Sequence, residues 1–296
     1  MRRVLVLGKT GMLGQTVLQT LSQDAALQVE GTHRLSSSDP LYFDAETAGS
    51  RLREVMARWG RYDVVINCIG ILQSDINEQD TNSVRRAIRV NALFPHELAA
   101  VAAEQGSRVI LVSTDGVFSG AGGPYFEDAQ SDCTDLYGKT KSLGEVRHPS
   151  ALTIRCSLIG CDLLKKRGLL EWFLAQPDGA QLQGYTDYLW NGVTTLQFAQ
   201  MCRQLICQDR FDEVLSGGSV HHFCPNKPVS KFELLSIFKT AFHKDVRIMP
   251  TRCSEVPIRR VLASRSKWLG KLLDHDGEIA TAVKQLADAH TLQLVK

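Results

Sequence analysis

Short apolar runs alternate with longer stretches of helical periodicity along the first half of the chain. The apolar runs at residues 4–7, 64–66, 109–112 and 152–154 are bounded by turn residues and have the length of buried parallel strands. Strands separated by helices imply right-handed crossovers, so the pattern predicts an α/β fold with a doubly wound parallel sheet. Because ligands of such sheets bind outside the carboxyl ends of the strands, residues that directly follow a strand are the functional candidates.

The hydrophobic pattern changes past the middle of the chain. Residues 82–104, rich in Ala, Leu, Arg and Glu, predict a helix with a bend or boundary near Pro95. After about Gly160 the alternation weakens, with short elements around 179–184 and 220–223 and a helix over 231–242. We therefore predict a first domain over residues 1–160, completed by a segment within 185–215, and a smaller C-terminal lobe over residues 161–296.

A glycine-rich turn follows the first strand. Gly8, Gly11 and Gly14 have GxxGxxG spacing, and a helix is predicted to begin near Met12. Glycine is needed where the turn is tight, where the backbone approaches a pyrophosphate and where the helix packs on the strand. An ordinary strand-to-helix turn explains one of these glycines but not all of them, so the turn predicts dinucleotide binding at a helix N-terminus. The predicted contacts are Gly8, Thr10, Gly11, Met12, Leu13 and Gly14.

The second strand should end near Thr32, beside the adenosine ribose of a dinucleotide. An acidic residue there would accept a hydrogen bond from the 2′-hydroxyl of NAD, whereas Thr32, His33 and Arg34 offer a guanidinium and no carboxylate. This composition favours NADP(H), with NAD(H) as the second option. The alternative is that Arg34 is a solvated loop residue.

A candidate acid/base pair follows the fourth strand. Tyr137 and Lys141 are spaced so that a helix places both on one face. The lysine ammonium, together with an oxidised nicotinamide, would lower the pKa of the tyrosine, and Thr114 at the strand end would donate to a substrate carbonyl. Exposed helices also carry such pairs by chance, Ser113 and Thr114 are common turn residues, and Asp115 could simply cap a turn.

Composition and charge exclude several other classes of protein. The 296 residues are 44% hydrophobic and 22% charged, as in ordinary globular domains, and the formal net charge of +2 without basic runs predicts no nucleic-acid or membrane binding. With no membrane-spanning apolar run and no signal pattern, we expect a soluble, cytoplasmic protein. Eight cysteines without CxxC or zinc spacing predict mostly free thiols and no metal site, with Cys68 and Cys156 packed at strand ends.

Taken together, the motifs resemble those of the extended short-chain dehydrogenases, in particular the dTDP-4-dehydrorhamnose reductase-like branch. The resemblance lies in the glycine-rich turn, Asn67-Cys-Ile-Gly70, Asn91, Ser113-Thr-Asp115 with Val117-Phe118, and Tyr137 to Lys141. It implies a Rossmann domain in which Thr114, Tyr137 and Lys141 reduce a keto group on a nucleotide-bound sugar, using NAD(P)H.

The resemblance also implies roles for residues that do not take part in the reaction itself. Asn91 would support the lysine through backbone and water contacts, Asp44 and Ala45 would lie beside adenine, and Cys68, Ile69 and Gly70 would lie beneath the cofactor. The strand that begins at Thr153 and leads to Gly160 would end against the nicotinamide.

The chain departs from the family at Gly116, where an aromatic residue is common, and the C-terminal lobe is only loosely similar. Trp190 is a candidate substrate contact, with a core position as the alternative. A group of arginines could grip a diphosphate or simply be solvated. These are Arg247, Arg252, Arg259 and Arg260.

Three functional hypotheses follow from these residues. The leading one is reduction of a nucleotide-linked sugar. An epimerase or dehydratase would need further acid/base groups, and no Asp-Glu pair stands beside Thr114. A non-catalytic NADP-binding regulatory subunit is the third hypothesis, because a fold does not fix a function. The sequence leaves the sugar, the nucleotide and the oligomeric state open, a homodimer being one option.

Overall fold

The computed structural model describes residues 1–266 and 268–294. Within that part of the chain the strands are β1 (Arg2–Leu7), β2 (Leu27–Gly31), β3 (Val64–Asn67), β4 (Arg108–Thr114), β5 (Ala151–Cys156), β6 (Leu158–Ile159), β7 (Ala180–Tyr185), β8 (Tyr188–Trp190), β9 (Val193–Thr194), β10 (Val220–His222), β11 (Val229–Ser230), β12 (Val246–Thr251) and β13 (Ile258–Arg260). The helices are α1 (Met12–Ser22), α2 (Gly49–Met56), α3 (Thr81–Ala87), α4 (Phe94–Glu104), α5 (Leu136–Leu143), α6 (Leu169–Leu174), α7 (Thr195–Cys207), α8 (Phe211–Leu215), α9 (Lys231–Ala241) and α10 (Ile279–Leu294). Among the residues described, no helix is long and apolar enough to cross a membrane.

A parallel sheet with the order β2-β1-β3-β4-β5-β10 forms the centre of the first domain. The four strands predicted from apolar runs are present, and Val4 to Leu7 are completely buried. Strand order reverses between β1 and β3, because the chain passes from β2 back across β1 to reach β3. At such a switch point the carboxyl ends of the strands leave a crevice for a ligand.

Helices cover both faces of this sheet. On one face α1 and α7 pack together, with Val17 and Phe198 in the shared core. On the other face α2 and α4 contribute Leu52 and Leu98 to a second core. Each such apolar side chain stabilises the fold by roughly 1.5–3 kcal/mol when fully buried. A sheet covered on both sides explains why its strands read as continuous apolar runs rather than alternating ones.

The predicted long helix is broken at the expected place. A π-helical segment, Ile88–Leu93, separates α3 from α4, and Pro95 stands in the first turn of α4. Because the helical backbone runs on from α3 through this segment, Pro95 removes a donor to the preceding turn, and the π-helical segment is the local irregularity that accommodates it. The π-helical segment places the buried Asn91 toward the loop after β3, so the break has a consequence for the site.

One strand lies elsewhere than the sequence indicated. The sequence pattern predicts residues 220–223 in the C-terminal lobe, but β10 pairs in parallel with β5, Val220 opposite Thr153, and so completes the central sheet. The segment that completes the first domain therefore extends past 185–215 to include β10 as well as α7. A strand of this length carries too few positions for periodicity to show which sheet it joins.

The C-terminal lobe is built from short pieces of sheet and three helices. β7 pairs with β12, and β8 pairs with β11 and β13. Phe173 of α6, Phe238 of α9 and Trp190 of β8 form its core together with α10. The helix predicted over 231–242 is α9, which begins with a capping box between Ser230 and Glu233. Trp190 is 2% exposed, which matches the core alternative given above.

Candidate active site

The glycine-rich turn joins β1 to α1 and leaves room for an anion. Gly8 has a φ of +83°, and its N–H donates to the Thr32 hydroxyl at 3.0 Å. A Cβ on Gly14 would lie 2.1 Å from the Gly8 carbonyl oxygen, so only glycine allows α1 to approach this closely. Gly11 caps α1 without a side-chain hydrogen bond, which leaves backbone N–H groups of the first turn available to a ligand. These features fit the pyrophosphate of a dinucleotide.

Two adjoining cavities run along the carboxyl edge of the sheet. The smaller, of about 100 Å³, is lined by Arg34, Arg86 and Arg167, and we name it the arginine cavity. The larger, of about 290 Å³, is lined by Tyr137 and Lys141, and we name it the tyrosine cavity. Together they form a cleft that extends from the end of β2 to the end of β4, the extent expected of a dinucleotide with a substrate at one end.

Most of the predicted site residues line this cleft. Gly8, Thr10, Arg34, Asp44 and Ala45 line only the arginine cavity. Met12, Leu13, Thr114, Tyr137 and Lys141 line only the tyrosine cavity. Gly11, Cys68, Ile69 and Gly70 line both. Residues far apart in the chain are thus brought to a single cleft.

Other predicted residues lie behind the cleft. The Thr32 hydroxyl accepts from Gly8, and the His33 ring pairs with Asp39 at 3.1 Å. The Asn91 amide donates to the Ile71 carbonyl at 3.0 Å and its oxygen accepts from the Ile71 N–H at 2.8 Å. These side chains, like Gly14, line neither cavity. Their contacts hold the backbone loops whose other residues do.

At the catalytic end, burial controls the titration of Tyr137 and Lys141. Burial raises the pKa of Tyr137 to about 12, while the Thr114 hydroxyl opposes this shift and the Asp115 charge adds to it. Burial lowers the pKa of Lys141 to about 8 against the attraction of Glu145. The ammonium of Lys141 donates to the Val112 carbonyl at 2.6 Å.

The expected lowering of the Tyr137 pKa includes the charge of an oxidised nicotinamide, whereas burial by the protein itself acts in the opposite direction. A phenol is protonated at neutral pH with or without this upward shift, so Tyr137 holds the proton that a general acid gives.

Ser113 and Thr114 have different partners because successive side chains of a strand point to opposite faces. The Ser113 hydroxyl donates to Glu145 at 2.7 Å. The Thr114 hydroxyl accepts from the Gly116 N–H at 3.0 Å and lies 3.2 Å from Asp115. Both residues line the tyrosine cavity beside Tyr137. The Ser113 hydroxyl is committed to Glu145 by the shorter hydrogen bond, so of the two adjacent hydroxyls Thr114 is the better suited to contact a substrate.

Gly116, where the family commonly has an aromatic residue, lies next to the reactive groups. A Cβ at this position would stand 3.2 Å from Cε1 of Tyr137 and 3.3 Å from the Thr114 hydroxyl. The space that a side chain at position 116 would enter is thus already occupied by Tyr137 and Thr114. The departure leaves Thr114 and Tyr137 in place.

A buried ion pair beneath the catalytic end was not anticipated from the sequence. Arg155 of β5 donates to both carboxylate oxygens of Glu145, each at 2.7 Å, and Arg155 is 3% exposed. Its guanidinium also lies 3.3 Å from the His222 ring of β10. A charged residue inside an apolar strand is the sequence signal that could have found it.

The arginines proposed to grip a diphosphate lie away from the cleft. None of the arginines 247, 252, 259 and 260 lines the arginine or the tyrosine cavity. Arg260 instead lies near Tyr188 and Lys231, and the Lys231 ammonium is 4.9 Å from the Trp190 ring centroid. Attraction between Lys231 and Asp115 links this group to the end of β4.

Comparison with known proteins identifies the family of this cleft. The family model described as RmlD substrate binding domain matches residues 1–282. The chain belongs to the RmlD substrate binding domain family. A methionine adenosyltransferase 2 subunit beta from Danio rerio is 26% identical over 257 residues, which are 82% of this chain and 74% of that protein. A dTDP-4-dehydrorhamnose reductase from Streptomyces griseus is 34% identical over 145 residues, 48% of this chain and 43% of that protein.

Solved structures related to the RmlD substrate binding domain family share the fold. The structure of dTDP-4-dehydrorhamnose reductase from Bacillus anthracis in complex with NADP has a TM-score of 0.75 and 17% identity, over 98% of this chain and 99% of that chain. At this identity the likeness shows the fold alone. It confirms the predicted doubly wound α/β, or Rossmann, architecture, and the family match confirms the resemblance seen in the sequence.

Proposed function

We propose that this protein reduces a keto group on a nucleotide-linked sugar with NADPH. The observation that carries the proposal is the tyrosine cavity, where Thr114, Tyr137 and Lys141 line one space that is continuous with the glycine-rich turn. Membership of the RmlD substrate binding domain family and the partial likeness to a dTDP-4-dehydrorhamnose reductase support it.

Each of these side chains has a defined part in the reaction. When bound, NADPH supplies a hydride to the keto carbon. The Thr114 hydroxyl donates to the keto oxygen and polarises it, and the Tyr137 phenol gives that oxygen a proton. The Lys141 ammonium, oriented by the Val112 carbonyl, then stabilises the phenolate that Tyr137 becomes. Tyr137 is protonated at neutral pH, as the acid in a reduction must be, and the charge of Lys141 would offset the burial that otherwise opposes loss of that proton.

The arginine cavity supports NADP(H) in preference to NAD(H). Arg34 follows β2 and lines the cavity, where it would meet a 2′-phosphate. Its guanidinium is 3.6 Å from Asp44 and 4.0 Å from Glu46, so these carboxylates balance its charge without hydrogen-bonding to it. The guanidinium donors are therefore available to an anion.

The test is loss of NADPH absorbance with a panel of dTDP-, UDP- and GDP-linked keto sugars, comparing the native chain with Tyr137→Phe. Turnover by the native chain with at least one sugar, and a loss of about 10²–10⁴-fold in Tyr137→Phe, is the expected result. Turnover that survives in Tyr137→Phe would overturn the assignment of the proton donor.

A second candidate function is a regulatory subunit that binds NADP(H) without turning it over. The relative from Danio rerio named as a subunit of methionine adenosyltransferase favours it, because the likeness spans most of both chains. The same panel separates the candidates. NADPH binding with no oxidation by any sugar nucleotide would support the regulatory function and exclude the reductase for those sugars.

A further inference from the structure

Positively charged side chains from both lobes meet in the arginine cavity. Arg34 and Arg86 come from the first domain, whereas Lys165 and Arg167 lie in the connection between β6 and α6 that leads into the C-terminal lobe. We refer to residues 162–168 as the basic loop. All four cations line the same space as Gly8 and Gly11 of the glycine-rich turn.

The carboxylates nearby do not satisfy all of these cations. Arg86 forms an ion pair with Glu46 at 2.5 Å, so this carboxylate lies closer to Arg86 than to Arg34, which is 4.0 Å away. Arg34 makes only the two longer ion pairs described above and, among the described residues, no side-chain hydrogen bond. Lys165 has no carboxylate within ion-pair distance among the described residues, because the nearby Asp75 and Asp162 lie against Arg167 instead. Two cations of opposite lobes thus face the cavity with unused donors.

These cations also repel one another. The pKa of Lys165 is lowered, first by burial and then by the charges of Arg167 and Arg34, against the weaker attraction of Asp75 and Asp162. Like charges held together are unfavourable unless an anion lies between them. The arrangement is therefore complementary to a group with more than one negative charge.

Arg167 links the basic loop to the other side of the cleft. Its guanidinium forms an ion pair with Asp75, which lies in the 3-10 turn Gln73–Asp75 of the first domain. Its Nε is buried without a hydrogen-bond partner among the described residues and lies 3.8 Å from Asp162. Arg167 is the one cation of this group that lines both cavities, so it stands midway along the cleft.

We propose that the basic loop is a phosphate clamp, in which Lys165 binds the 2′-phosphate of NADP(H) opposite Arg34, and Arg167 binds the pyrophosphate. The positions along the cleft assign the phosphates. Lys165 lines only the arginine cavity, at the end of β2, and Arg167 lies where the two cavities join beside Gly11. The C-terminal lobe would thereby contribute to cofactor choice as well as to substrate binding. The proposal rests on the proposed function only for the identity of the cofactor.

The experiment is isothermal titration of NADPH and of NADH into the native chain, Lys165→Gln, Lys165→Arg and Lys166→Gln. Lys166 is the control, since it is the next residue, has the same charge and lines neither cavity, its ammonium lying 3.5 Å from Glu171 instead. We expect Lys165→Gln to weaken NADPH binding about tenfold, because a charged hydrogen bond is lost, and NADH binding by less than about twofold. Lys165→Arg should restore NADPH binding, and Lys166→Gln should match the native chain.

Other outcomes would overturn the clamp. Equal weakening of NADPH and NADH binding by Lys165→Gln would exclude contact between Lys165 and the 2′-phosphate. Equal effects of Lys165→Gln and Lys166→Gln on NADPH binding would show that the loop attracts the cofactor only through its overall positive charge. Arg167→Gln should weaken both cofactors alike, because both carry the pyrophosphate, and an unchanged affinity would exclude its part. The titrations contain no sugar and therefore test the clamp separately from the reductase. If they support the clamp while the sugar-nucleotide panel shows no turnover, the result counts against the reductase and not against the clamp. A native chain that binds neither cofactor would overturn both.

Discussion

At the catalytic end of the cleft, Tyr137 and Lys141 are half-buried and their pKa values are moved by desolvation, upward to about 12 and downward to about 8. At the opposite end, Arg34 and Glu46 keep 45% and 35% of their side-chain surface exposed, and they are charged groups that share the arginine cavity. The residues packed beneath the two ends differ as well, since a buried ion pair between Arg155 and Glu145 lies beneath the catalytic end.

The contrast separates proton chemistry from binding. Burial makes a side chain sensitive to its protonation state, which is what an acid/base group requires. Exposed charges are screened by water and salt, so they attract a charged ligand without storing much folding energy. Substitutions at the catalytic end should therefore change the rate or the stability, and those at the arginine cavity should change affinity.

The largest expected effect is on stability, at the buried ion pair. Glu145→Gln should lower the free energy of unfolding by about 3–5 kcal/mol, because it leaves Arg155 buried without a counter-charge. Glu46→Gln removes a carboxylate from an exposed pair with Arg86 and should cost less than about 1 kcal/mol. Urea unfolding of both variants measures the difference. Equal losses would contradict the contrast between the two ends.

The next effect is on the rate, at the adjacent hydroxyls. Thr114→Val should lower kcat about 10²-fold, because the donor to the keto oxygen is lost, while the Kd of NADPH stays unchanged. Ser113→Ala is the control, since its hydroxyl faces Glu145, and it should leave kcat within about threefold. Steady-state kinetics with the sugar found active would measure both. A loss in Ser113→Ala as large as in Thr114→Val would show that the wrong hydroxyl was chosen.

A third effect is on the pH profile. Lys141 loses its proton as pH rises through about 8, so kcat/KM for NADPH should fall about tenfold per pH unit above that value. Lys231, whose pKa burial also lowers to about 8, lines neither cavity, so Lys231→Met should keep this limb and Lys141→Met should not. Loss of the alkaline limb in Lys231→Met would show that the limb reports Lys231 and not Lys141.

The lowered pKa of Lys141 also makes the free energy of unfolding depend on pH. The pKa of Lys141 in the folded chain is below its ordinary value of 10.5, so between about 8 and 10.5 the unfolded chain holds a proton that the folded chain has lost. This group therefore adds stability as the pH rises through that window. Lys141→Met should remove that contribution, as measured by urea unfolding at pH values on either side of the window.

The smallest expected effect is at Gly116. Gly116→Ala places a Cβ 3.2 Å from the Tyr137 ring, which must move by a few tenths of an ångström. We expect kcat to fall about threefold, because the proton donor is slightly displaced, with little change in NADPH affinity. Kinetics and NADPH titration of this variant provide the check, and a loss as large as that of Tyr137→Phe would mean that glycine itself is required there.

The sequence by itself determined the features that depend on near neighbours in the chain. The turn from Gly8 to Gly14, the helical spacing of Tyr137 and Lys141 and the buried strands are each written in a short segment. Local geometry follows from such segments because glycine conformations, helix periodicity and strand length are set within a few residues. The fold class and most of the lining of the cleft therefore followed from the sequence.

Only the tertiary structure decided what depends on distant contacts and on water. It favoured Thr114 over Ser113, because Glu145, which is distant in the chain from β4, takes the Ser113 hydroxyl as a hydrogen-bond donor at 2.7 Å. It also decided that desolvation by the protein raises the pKa of Tyr137, because desolvation depends on everything packed around a group. It also brought Lys165 of the basic loop to the same cavity as Arg34, a proximity that comes from the docking of two lobes and leaves no periodic or local trace in the chain.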